Sequence, residues 1–187
     1  TKAGVREVIV EKGRATGVVL DDGRTVRARA VVSNVNPKLL FLKLIDAPAL
    51  DAEFLQRIRA WKCGSATFRM NVALRELPDF TALPGTALAE HHQSGIIMAP
   101  SLAYMEQAYF DARTHGCSRA PVVEMLIPSV VDDTLAPAGA HVASLFCQQF
   151  DPGADWSRLK PTAVERIFDV VQAHCPNFRS SLLGCRA

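Results

Sequence analysis

The groups with the most chemical potential in this sequence are two pairs of adjacent carboxylates, Asp21-Asp22 and Asp132-Asp133, and one pair of imidazoles, His91-His92. Paired carboxylates can divide acid and base roles, and paired imidazoles can hold a transition metal. Neither chemistry suits these spacings, because side chains at i and i+1 diverge on a helix or a strand. Asp21-Asp22 runs into Gly23, and Asp132-Asp133 precedes Pro137 and Gly139, so both pairs sit where a turn wants them. No Asp, Glu or Cys stands at ligand spacing from His91-His92, and no metal is expected there. His141 falls within the same turn-rich run and is read as architectural rather than catalytic.

The cysteines (Cys63, Cys117, Cys147, Cys175 and Cys185) form no C-x-x-C and no metal-type spacing. They read as reduced thiols serving as small core residues in a cytoplasmic setting. Phosphate loops, G-x-G-x-x-G, G-x-S-x-G and H-E-x-x-H are all missing from these residues, so no self-sufficient catalytic site is legible.

Composition narrows the class further. The 187 residues are 49% hydrophobic and 21% charged, ordinary globular material long enough for one large domain or one with a small appendage. A formal charge of +2 is too small to argue for nucleic acid. No apolar run reaches the roughly 20 residues of a membrane span. The chain opens inside an apparent strand, as an excised internal segment would.

Several elements must position whatever chemistry exists. Val5 to Glu11 and Ala15 to Leu20 read as strands. A third follows Asp22-Gly23, which supplies the positive-φ pair of a two-residue hairpin turn. Val26, Ala28 and Ala30 alternate with Arg27 and Arg29, and Ala30-Val31-Val32 then runs continuously apolar, as a strand covered on both faces does. That strand closes on Ser33-Asn34, small polar groups at a buried strand end, where α/β sheets place ligands. Pro37 opens a short helix from Lys38 to Leu44. Asp51 caps another that ends near Trp61, with Phe54, Leu55, Ile58 and Trp61 on one face.

Residues 65–74 alternate cleanly, with Ala66, Phe68, Met70, Val72 and Leu74 on one face and Ser65, Thr67, Arg69, Asn71 and Ala73 on the other. The polar face either meets water or borders a substrate cavity. Residues 75–94 read as a loop and Gly95–Pro100 as a short strand. A helix capped by Ser101 carries Leu102, Met105, Tyr109 and Ala112 and stops at Gly116. Val122–Ile127 and His141–Phe150 are further strands. Pro161 stands in the first turn of a helix bearing Val164, Ile167, Phe168 and Val171. The tail after Pro176 has no clear assignment. Together these elements predict an α+β fold, a small antiparallel meander followed by a larger mixed or antiparallel sheet with helices packed on one face.

Two stretches carry a resemblance. The hairpin Gly17-Val-Val-Leu-Asp-Asp-Gly-Arg…Ala30-Val-Val-Ser-Asn34 and the run Pro128-Ser-Val-Val-Asp…Leu135-Ala-Pro-Ala-Gly-Ala-His141 together resemble the phytoene-desaturase-related branch of the FAD-dependent amine-oxidase-like oxidoreductases. The resemblance implies an internal piece of such an enzyme. Residues 1–36 would be a fragment of the FAD-binding domain and residues 37–187 the substrate-binding domain. Val8 matches the position that passes the adenine end of FAD, and Ser33 and Asn34 join it as expected cofactor contacts.

The implied activity is desaturation or oxidation of a largely apolar, lipophilic substrate by hydride transfer to flavin, with peripheral membrane contact of the whole protein compatible with it. The segment by itself is expected to be inactive and to hold FAD weakly or not at all. A different class, a non-catalytic binding or dimerisation module of the same topology, fits the residues too. An amine oxidase would need an aromatic pair beside the flavin, which two Tyr and two Trp do not evidently provide.

Overall fold

The computed structural model describes residues 2–187, which fall into two compact units dividing between Lys62 and Cys63. The first unit holds the meander, strands β1 (Val5–Glu11), β2 (Arg14–Leu20) and β3 (Thr25–Arg27) in the order β1-β2-β3, each pair antiparallel. The two-residue turn falls at Lys12-Gly13, where both residues have positive φ (50° and 75°) between Glu11 and its partner Arg14. At Asp22-Gly23 only Gly23 has positive φ. The loop there is longer, closed by Gly23 N–H to Leu20 O at 2.9 Å and Leu20 N–H to Arg24 O at 2.8 Å. Asp22 serves that loop by accepting from the main-chain N–H of Arg24 at 3.0 Å and from its Nε at 2.7 Å.

The expected buried strand through Ala30-Val31-Val32 does not form. β3 ends at Arg27, residues 28–36 are without regular strand, and Val32 is 96% exposed. A doubly covered strand needs neighbours, and no strand among the described residues pairs with this stretch. Asn36 then caps a short helix, α1 (Pro37–Leu39), continued as a π-turn over Leu40–Leu44, its Oδ1 accepting from Lys38 N at 2.8 Å. Asp51 caps α2 (Ala52–Ala60) through Phe54 N, also at 2.8 Å. Leu55 and Ile58 are buried with Val8 and Leu20, and Phe54 meets Phe41 edge-on. Trp61 departs from the expected apolar face: it ends the helix as its C-cap and is exposed.

The second unit is a five-stranded sheet, antiparallel throughout, in the order β5-β6-β7-β4-β8. Its strands are β4 (Ala66–Leu74), β5 (Ile96–Met98), β6 (Cys117–Leu126), β7 (His141–Phe150) and β8 (Leu182–Arg186). Met70, Val72 and Leu74, Val123 and Met125, and Ala143, Leu145 and Cys147 share one face. Ala163, Ile167, Phe168 and Val171 of α4 (Trp156–His174) cover it. Each fully buried side chain of this size contributes about 1.5–3 kcal/mol, which makes this layer the main source of cohesion in the unit.

α4 begins five residues ahead of Pro161, because Asp155 accepts from Ser157 N at 3.1 Å and caps it there. α3 (Leu102–His115) lies against β6 and β7, and of the expected stripe only Ala112 is buried. Ala108, Asp111 and Ala112 are buried, while Leu102, Met105 and Tyr109 are exposed. The tail supplies α5 (Phe178–Ser181) and the edge strand β8, neither of which has a readable periodicity.

Candidate functional site

In the first unit, the three residues tied to a cofactor sit in different settings. Val8 is 6% exposed within β1, paired with Val18, so only its main chain could touch a ligand. Ser33 and Asn34 lie on the irregular segment after β3. Ser33 Oγ accepts weakly from Val35 N at 3.5 Å, and the Asn34 side chain has no partner among the described residues. Two short polar groups with free capacity on exposed backbone fit hydrogen bonding to a sugar or phosphate.

The second unit builds a surface with more shape. Strands alternate, so the residues opposite the α4-covered core emerge on the other side of the sheet. Register aligns them in rows. Ile97, Glu124, Phe146 and Arg69 follow one another across β5, β6, β7 and β4, and Leu126, Ser144, Asn71 and Arg186 follow across β6, β7, β4 and β8. The Arg69 guanidinium stands 5.4 Å from the centre of the Phe146 ring. A cavity of about 250 Å³ opens above Arg69, Glu124, Leu126, Ser144 and Phe146. Leu126 also lines a neighbouring cavity of about 370 Å³ with Ile127, Pro128, Val131 and Leu135.

Arg69 was legible as part of an outward face. Glu124, Leu126, Ser144 and Phe146 were not singled out, although Val122/Glu124/Leu126 and Ser144/Phe146 carry the same alternation.

The histidines depart from the sequence expectation. The rings of His91 and His92 do not diverge but meet with centres 3.9 Å apart and planes tilted by 41°, with Phe80 against both. His92 is fully buried, and main-chain groups take both its nitrogens. Ala89 N–H donates to Nδ1 at 3.2 Å, which leaves Nε2–H to donate to Pro78 O at 3.0 Å. His91 Nε2 is buried without a partner among the described residues. Burial, and then the neighbouring charge of His92, hold the His91 pKa below the usual imidazole range.

The two carboxylate pairs differ in place: Asp132 lines the cavity of about 370 Å³, and Asp22 lies in the first unit. Asp22 serves its loop, and Asp132 accepts from Thr134 N at 3.0 Å. His141 Nδ1 lies 3.4 Å from Ser129 Oγ, a hydroxyl that also accepts from Val142 N at 3.0 Å, which ties the 128–141 run to β7. Of the cysteines, Cys117, Cys147 and Cys175 are core residues as expected, whereas Cys63 and Cys185 are exposed. No helix among the described residues is long and apolar enough to cross a membrane.

No protein-family model matches the chain. It is 38% identical over 183 residues to pyridine nucleotide-disulfide oxidoreductase domain-containing protein 2 of Rattus norvegicus, covering 92% of this chain and 31% of that protein. It is 26% identical over 166 residues to the chloroplastic prolycopene isomerase of Arabidopsis thaliana, covering 88% of this chain and 24% of that one. Its fold matches part of an oxidoreductase from Methanosarcina mazei at a TM-score of 0.50 and 16% identity, over 98% of this chain and 36% of that one. The chain thus spans about a third or less of the curated relatives it matches. Its similarity to these relatives runs over one segment of their length and agrees with the resemblance to the phytoene-desaturase-related branch of the amine-oxidase-like oxidoreductases.

Proposed function

We infer that this chain is the central segment of an FAD-dependent oxidoreductase that desaturates or oxidises a largely apolar substrate. The observation that carries this reading is the part of the sheet face opposite the α4-covered core that bears Arg69, Glu124, Leu126 and Phe146. Its neighbouring cavities over Phe146, Leu126, Val131 and Leu135 offer much apolar surface, and the polar groups that also line them, among them Glu124, Ser144 and Asp132, form no hydrogen-bonded acid–base–nucleophile set among the described residues. A wall of this kind suits an enzyme whose reactive group is a cofactor, because the protein then supplies position and dryness. When bound, FAD accepts the hydride taken from the substrate.

In this reading residues 1–36 belong to the cofactor domain and residues 37–187 to the substrate domain. Ser33 and Asn34 hydrogen-bond the cofactor, and Val8 meets it through its main chain. The open face orients the substrate and excludes water from it. A cytoplasmic setting with reduced thiols belongs to the same reading.

The test is purification of the full-length protein followed by anaerobic titration with lipophilic substrates. Yellow flavin absorbance that bleaches on substrate addition is the expected result. A colourless protein that takes up no FAD on incubation overturns the reading in favour of a non-catalytic module.

A further inference from the structure

Besides Arg186 at the β8 edge, the sheet face opposite α4 carries two charges that no ion pair neutralises among the described residues, Arg69 and Glu124. They flank Phe146 at the same register level, one strand to either side. Strand spacing places their Cα atoms about 10 Å apart, and their side chains form no ion pair with each other. Arg69 lies over the Phe146 ring at 5.4 Å. A guanidinium held against an aromatic ring keeps N–H donors free at its edge, and that fork matches a carboxylate. A floor built for pure hydrocarbon would instead leave both charges desolvated with nothing to pair with. The cavities are also uneven along their length. The one beside Arg69 holds both of these charged groups, while the one that shares Leu126 with it has an apolar side of Ile127, Pro128, Val131 and Leu135 and a polar rim of Gln93, Ser94 and Asp132.

We propose that this groove binds an amphipathic monoanion, with one carboxylate on the free edge of Arg69 and an alkyl or isoprenoid tail over Phe146 and Leu126 towards Val131 and Leu135. The assignment rests on the open face being the substrate chamber, and it names the class of substrate that chamber takes. Glu124 limits the charge admitted: a dianionic phosphate monoester over Phe146 meets its carboxylate, and a cationic headgroup meets Arg69.

Calorimetric titration of the full-length protein with dodecanoate, dodecanol, dodecyl phosphate and dodecyltrimethylammonium tests this. Dodecanoate binds about tenfold more tightly than dodecanol, the gain of one charge-assisted pair at a partly solvated site. Arg69→Met brings dodecanoate down to the dodecanol level and leaves dodecanol unchanged, and Arg69→Gln repeats this should the Met variant lose its fold. Glu124→Gln raises the affinity for dodecyl phosphate. Equal binding of dodecanoate and dodecanol by the unaltered protein, or a preference that survives both Arg69 variants, overturns the proposal while the chamber stands. Failure of all four probes to bind overturns the chamber and the proposal with it.

Discussion

Asp111 on the buried side of α3 and Arg119 near the start of β6 close a two-pronged ion pair. Arg119 Nη2 donates to Oδ1 at 2.8 Å and its Nε to Oδ2 at 2.9 Å. The Arg119 main-chain N–H and Gln107 Nε2 donate to the same carboxylate, so four N–H groups converge on one buried acid. These bonds outweigh burial and hold the Asp111 carboxyl well below the usual carboxylate range. The pair fastens the helix to the strand that follows it.

Replacing Asp111 should therefore loosen that junction. Asp111→Ala leaves the Gln107 and Arg119 donors without their acceptor, and about 1–3 kcal/mol of stability is lost, discounted because Arg119 itself is largely solvated. Since the folded pKa is depressed, the contribution of Asp111 is complete above its unfolded pKa of about 4 and drains away as pH falls further. Urea melts across that acid limb should show a shallower slope in Asp111→Asn than in the unaltered protein.

The adjoining His91-His92 pair governs a different window. Burial and the His92 charge lower the His91 pKa, and His141 is lowered by burial first and by His92 second. A histidine with a depressed folded pKa takes up protons more readily when unfolded, so stability falls as pH drops through about 6.5. Thermal melts between pH 5 and 7 should show this slope reduced in His91→Gln, with the limb below pH 4 unaltered. An unchanged slope in the near-neutral range would show that the pair does not couple to folding.

Two glycines with similar backbone separate strain from crowding. Gly13 has φ 75° and open space where a Cβ would stand, so Gly13→Ala costs only the left-handed backbone penalty of about 1–2 kcal/mol. Gly116 has φ 82°, and a Cβ there would come 2.8 Å from Leu159 Cδ1 and 3.0 Å from Ala154 Cβ. Gly116→Ala should lower the denaturation midpoint by clearly more than Gly13→Ala does.

Thiol reactivity follows burial. Burial pushes the Cys147 and Cys175 thiols up to about 12, and with Cys117 they are shut away in the core. Alkylation of the native protein at mildly alkaline pH, read by mass spectrometry, should modify Cys63 and Cys185 and spare the other three. Labelling at Cys147 without prior unfolding would contradict the packing of β7 against α4.

Much of the fold was legible where one residue's local preference agreed with its neighbours'. Phe68, Met70, Val72 and Leu74 alternate without a break and are half-buried or fully buried in β4. Asp51 and Ser101 cap helices because their side chains reach a main-chain N–H three residues on. The failures lie where the deciding partner is distant. Val31 and Val32 have strand composition, but a strand forms only beside another. Of the expected stripe only Ala112 is buried, and Ala108 joins it in place of Leu102, Met105 and Tyr109, because small residues permit close approach to β6 and β7, which helical spacing alone cannot reveal. β8 has no pattern of its own and exists because β4 offers it an edge. The groove was half visible for the same reason: Arg69 announced an outward face, and only register across β7 and β6 brought Phe146 and Glu124 beside it.

The placement of β4 between β7 and β8 has a consequence for biosynthesis. This strand leaves the ribosome ahead of every other member of its sheet, yet both its neighbours are made much later, β8 among the last residues of the chain. Its row of Phe68, Met70, Val72 and Leu74 must therefore wait uncovered until β7 and then β8 have been made, which makes the nascent polypeptide a natural client for a holding chaperone.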